Sequence, residues 1–138
     1  MVLDMAGNVG TQSLAVTIRV LMDDNVSSKR KLLLIFEEIK IGLFNGFILG
    51  IMTFVFLGGY IVLFKNYDLA NAFSISSCVG ISLLIAMLVS SLVGAVIPMF
   101  FDRIEIDPAV VSGPLITTIN DLVAVITYYG LAYLFLIK

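Results

Sequence analysis

Polar and charged positions along this chain fall into short clusters separated by long apolar runs. No charge occurs between Lys40 and Lys65, and none between Asp68 and Asp102. About 20 apolar residues suffice to carry a helix across the roughly 30 Å hydrocarbon core of a bilayer, and both runs exceed that. A third run, from about Pro114 to Ile137, is broken only by Asp121. A fourth, Met1 to Met22, is long enough to cross but unusual. Asp4, Gly7, Asn8, Gly10, Thr11, Gln12 and Ser13 crowd its first half. Lipid does not tolerate such a cluster, so this helix has to turn those residues toward protein or water. The pattern predicts one all-α membrane domain over 1–138, with helices at about 1–22, 28–64, 72–101 and 108–137.

Composition strengthens that reading. The 138 residues are 60% hydrophobic and 13% charged, with a mean hydropathy of +1.11. A soluble domain runs about 45–50% apolar and about 25% charged. Disorder, a nucleic-acid module and most soluble enzymes of this size are thereby excluded. One cysteine and no histidine leave no disulfide framework, zinc finger or histidine chemistry. Carboxylates, hydroxyls, amides and backbone carbonyls remain, and the chain is not expected to be an enzyme.

The placement of basic residues sets the expected sidedness. Residues 23–40 carry Lys29, Arg30, Lys31 and Lys40, and residues 102–107 carry Arg103, whereas the 65–72 loop has only Lys65. The positive-inside rule puts 23–40 and 102–107 in the cytoplasm and both chain ends outside. The start lacks a basic n-region and a cleavage site, so it does not read as a signal peptide. Within 27–40, Ser27 or Ser28 can cap a helix that continues into the apolar run. Glu37 and Lys40 are spaced to pair on it.

Asp121 is the strongest chemical signal. An aspartate near the middle of a membrane helix costs on the order of 2.5–3.5 kcal/mol even on lenient insertion scales. Thr117, Thr118 and Asn120 accompany it, and Gly113 and Pro114 stand at the entrance of the same helix. A polar stripe along a wet, ion- or proton-handling path explains this set better than a buried ion pair. On the first helix, Asn8, Thr11 and Gln12 share one face at i, i+3 and i+4, as a pore wall or a packing seam. Ser90 and Gly94 have small-xxx-small packing spacing. Asp102, Glu105 and Asp107 lie within six positions, either as solvated, helix-capping charges or as a cation-collecting vestibule, since oxygen clusters suit Mg²⁺ or Ca²⁺.

Three segments together resemble one family. Gly7-Asn8-Val9-Gly10-Thr11-Gln12-Ser13, then Asp107-Pro108-Ala109 with Ser112-Gly113-Pro114-Leu115, then Thr118 with Asp121, are similar to the membrane domain of the MgtE magnesium channels. The resemblance covers essentially the whole chain and the last four of that family's five membrane helices. It implies a homodimer in the cell membrane with Mg²⁺ as the transported and bound ion, moving along a two-fold axis lined by the first and last helices here. Asp121 matches the family's pore aspartate and Asp107 an aspartate at the cytoplasmic end of the last helix. Asn8, Thr11 and Gln12 match the pore-side motif, so that Gly113, Thr117, Thr118 and Asn120 are expected to line the pore beside Asp121.

Departures accompany the resemblance. The family usually has asparagine before the proline, where this chain has Gly113, and a glycine three residues after the pore aspartate, where it has Ala124. Counterparts of the first membrane helix, the plug helix and the cytoplasmic sensor domains are missing, so the chain is expected to be a trimmed or minimal relative. The expectation is a Mg²⁺ channel with Asp121 as the ion-binding carboxylate and Asp102 and Glu105 gathering cations. Its rivals are a non-conducting assembly or regulatory subunit and a proton- or sodium-coupled carrier.

Overall fold

A computed structural model of the chain describes residues 1–137 apart from Asp24 and Asn66. Four helices follow one another: α1 (Val2–Leu21), α2 (Ser28–Lys65), α3 (Leu69–Arg103) and α4 (Pro108–Ala132), the last running into a π-helical stretch, Tyr133–Ile137. No strand occurs among the described residues. Residues 28–65, 69–103 and 112–135 are long and apolar enough to cross a membrane, with mean hydropathies of 2.4, 2.4 and 1.4. The chain is an all-α membrane protein. At 20 residues, α1 is about 30 Å long, but its polar first half keeps it out of that apolar group.

Capping chemistry sets several boundaries. Ser27 Oγ accepts from Arg30 N at 3.3 Å, opening α2. Asp107 accepts from Ala109 N at 2.9 Å and Pro108 takes the first position of α4, where a missing N–H costs nothing. Between α3 and α4, Glu105 adopts left-handed backbone (φ 58°), which reverses the chain within a few residues. Glu37, spaced to pair with Lys40, pairs instead with Arg30 at 3.0 Å, two turns back on the same helix.

The bundle is organised around α3, half of whose apolar span is buried, against 17% for α2 and for α4. Helices α1, α2 and α4 all pack on it, while α1 and α2 barely meet. The α2–α3 seam is antiparallel and built on glycines one turn apart. Gly42 lies against Ser91, Gly46 against the Leu84 backbone and Gly50 against Gly80. A Cβ on Gly50 would stand 2.9 Å from the Gly80 carbonyl oxygen, so only glycine permits this backbone approach. The remaining core joins α1, α3 and α4 through Val2, Ala6, Val9, Leu83, Ala86, Met87 and Ala124. Exposed Phe44, Phe47, Ile51, Val55 and Phe56 cover the outer face of α2, as lipid contact requires.

Candidate functional site

Asp121 lies on the exposed face of α4 with Thr117 and Thr118. The carboxylate has no ion-pair partner among the described residues. Both threonines spend their hydroxyl protons on their own helix. Thr117 donates to the Gly113 carbonyl at 3.1 Å and Thr118 to the Pro114 carbonyl at 2.9 Å. What they turn outward is therefore lone pairs. The half-buried Gly113 opens on free space, where an added Cβ would meet nothing within 4 Å.

The exposed face of α1 repeats the arrangement. Thr11 donates to the carbonyls of Gly7 and Asn8, each at 3.0 Å. Asn8 and Gln12 line a cleft of about 330 Å³ between α1 and α2, floored by Val9 and Met87. Asn45 of α2 lines the same cleft. This amide escapes the sequence pattern because it stands alone in an apolar run.

Asn120 departs from its expected place on the pore-lining face. It is only 1% exposed, turned into the bundle where α1, α3 and α4 meet. A side chain at Gly10 would collide with the Asn120 amide and the Ser90 hydroxyl. Ser90 in turn donates to the Ala6 carbonyl across the α1–α3 contact. The 100° turn between successive helical residues sends Asn120 inward when Asp121 faces out. Because Gly10 and Asn120 touch, Thr11 and Asp121, each the next residue, lie at about the same height in the bundle.

The acidic cluster is also divided. Asp102 is held by Lys31 at 2.6 Å, a contact that ties the end of α3 to the start of α2. Asp102, expected beside Glu105 as a cation-gathering carboxylate, thus stands in an ion pair. Glu105 and Asp107 stay exposed, with one oxygen of Asp107 engaged in capping α4. The same ion pair brings segments 23–40 and 102–107 to one end of the bundle. Asp23 is exposed and Asp24 lies outside the described residues. Among the described residues no three Cys, Asp or Glu side chains converge as a metal cage.

Glu38 is the functional candidate that sequence reasoning missed. It is 4% exposed, and its Oε2 accepts from Ser13 Oγ at 2.6 Å. The signal available was its spacing, since Glu38, Gly42, Gly46 and Gly50 repeat every fourth position and so share the buried face.

Residues 1–131 match the MgtE family, a divalent cation transporter. The chain is 34% identical over 136 residues to the magnesium transporter MgtE of Bacillus subtilis (strain 168), covering 99% of this chain and 28% of that protein. It is 38% identical over 133 residues to the magnesium transporter MgtE of Enterococcus faecalis, covering 95% and 27%. The Thermus thermophilus magnesium transporter MgtE is 31% identical over 134 residues, covering 97% and 28%. The chain thus spans little more than a quarter of the length of these curated relatives. A match running through both the α1 motif and the Asp121 helix settles the kinship: this chain belongs to the MgtE family of divalent cation transporters.

Proposed function

We propose that this chain conducts Mg²⁺ across the cell membrane, with Asp121 as the carboxylate that holds the ion. The observation that carries the reading is the acceptor character of the Asp121 face. Mg²⁺ sheds its water reluctantly, so a passing ion presents water protons on its outside. Those protons need acceptors, and the carboxylate with the outward lone pairs of Thr117 and Thr118 supplies them. A lone aspartate in an apolar helix is expensive, and a second copy of the chain across a two-fold axis would let two carboxylates share one divalent ion. Thr11 adds acceptor lone pairs on α1. Glu105 and Asp107 form the cytoplasmic mouth, where their field raises local cation concentration.

In this reading α1 crosses the membrane with its polar face toward the ion path. The 23–40 and 102–107 segments face the cytoplasm and both ends of the chain face outward. Downhill Mg²⁺ uptake into vesicles containing the purified chain, with no proton or sodium gradient, tests it. Uptake without a second ion supports a channel. Uptake only with a coupling gradient contradicts it in favour of a carrier, and none at all in favour of a non-conducting subunit.

A further inference from the structure

A groove of about 670 Å³ runs between the start of α2 and the end of α3. Its lining is sorted by height. Ser28, Lys31, Asp102 and Arg103 line it at the end of the bundle. Leu32 and Ile35 of α2 and Val96, Met99 and Phe100 of α3 line it farther along, toward the apolar spans. Such a slot has a polar mouth at the level of the lipid headgroups and an apolar continuation beside the acyl chains.

Among the described residues, the mouth carries one positive charge without an ion-pair partner, Arg103, and spare hydrogen-bond donors on Lys31. Lys31 gives one hydrogen bond to Asp102, and an ammonium group has two more donors to offer. Arg103 is exposed and makes no ion pair among the described residues. Its planar fork fits a phosphate oxygen pair. Lys29, also exposed, lies within a turn of the mouth along α2. Basic pockets between membrane helices take anionic headgroups for this reason.

We propose that this groove binds an anionic phospholipid, with its phosphate at Arg103 and Lys31 and an acyl chain laid between α2 and α3. Charge selects the headgroup and the apolar walls select a lipid over a free phosphate. The site does not depend on which ion the chain moves.

Native mass spectrometry of the purified chain, titrated with phosphatidylglycerol or phosphatidylcholine, tests it. Each basic residue at a membrane surface contributes enough to favour the anionic lipid about fivefold, so phosphatidylglycerol should bind at least about fivefold more tightly. Arg103→Gln, at an exposed position, should remove most of that preference, whereas Lys65→Gln at the other end of α2 should not. Val96→Trp, which fills the slot, should weaken both lipids. Equal binding of the two lipids, or a preference that survives Arg103→Gln, would overturn the proposal. So would displacement of the lipid by millimolar inorganic phosphate, which would mark an anion site with no role for the acyl chain.

Discussion

Ser13 on α1 donates a hydrogen bond to the buried carboxyl group of Glu38 on α2, at 2.6 Å. The contact matters because α1 and α2 barely meet elsewhere. It joins α1 to α2 one turn along α1 from Val9, which lines the cleft with Asn8, Gln12 and Asn45. Ser13 also seats against Gly94 of α3, so the bond fixes the rotation of α1 and therefore the direction in which Thr11 and Asn8 point.

Removing either partner should cost about the same. Cross-helix hydrogen bonds in membranes contribute about 0.6 kcal/mol on average and up to about 1.7. Ser13→Ala and Glu38→Ala should each lower thermal stability and weaken the apparent Mg²⁺ affinity, and the double variant should be no worse than the poorer single. Glu38→Gln, which still accepts from Ser13, should recover most of the loss. Fully additive losses would show that the two residues act separately.

Gly10→Ala tests the junction at Asn120. The new methyl group would meet the Asn120 amide and the Ser90 hydroxyl, and overpacking of this kind costs typically about 1–3 kcal/mol. The expected result is a lowered melting temperature, whereas Gly7→Ala, whose Cβ meets nothing within 4 Å, should be neutral. Equal behaviour of the two variants would contradict the packing described.

Thiol labelling separates the outward face of α4 from the inward one. Cys78 is buried, so a Cys78→Ala background removes little and gives a clean baseline. Cysteines at Thr11 and Thr117 should react with aqueous reagents and be slowed by Mg²⁺. Those at Asn120 and Ile116, 1% and 0% exposed, should stay unreactive. Fast labelling at Asn120 would mean that α4 is rotated relative to its place here.

Asp107→Ala should lower stability even where transport is not measured. Its carboxylate caps the Ala109 amide at 2.9 Å, and losing such a cap costs about 0.5–2 kcal/mol. Asp107→Asn or Asp107→Ser should restore the melting temperature, because both are good caps. If flux also recovers with Asp107→Ser, the residue serves the helix alone and the charge has no part in gathering cations.

The membrane class, the all-α architecture and the family were legible because they rest on long-range regularities: two charge-free runs and three motifs in order. The capping role of Asp107 was legible for a local reason, an acidic residue directly before a proline. What the sequence hid was rotation and pairing. Asn120 and Asp121 are neighbours, and nothing in the apolar span says which of them faces inward until Gly10 leaves room for one. Glu38 hid beside Glu37 for the same reason. The ion pair of Asp102 is invisible in the sequence because Lys31 stands 71 residues away in the chain, and only the antiparallel packing of α2 on α3 brings them together.

The central claim is that Asp121 holds the ion, and Mg²⁺ flux through Asp121→Ala in reconstituted vesicles addresses it most directly. The side chain is exposed and makes no ion pair among the described residues, so its removal should leave the helical fold and the assembly of the chain unchanged. The account predicts loss of Mg²⁺ flux in Asp121→Ala, with Asp121→Asn retaining a weaker, lower-affinity response because shape survives and charge does not. Near-normal flux through Asp121→Ala, with the fold intact, would contradict it.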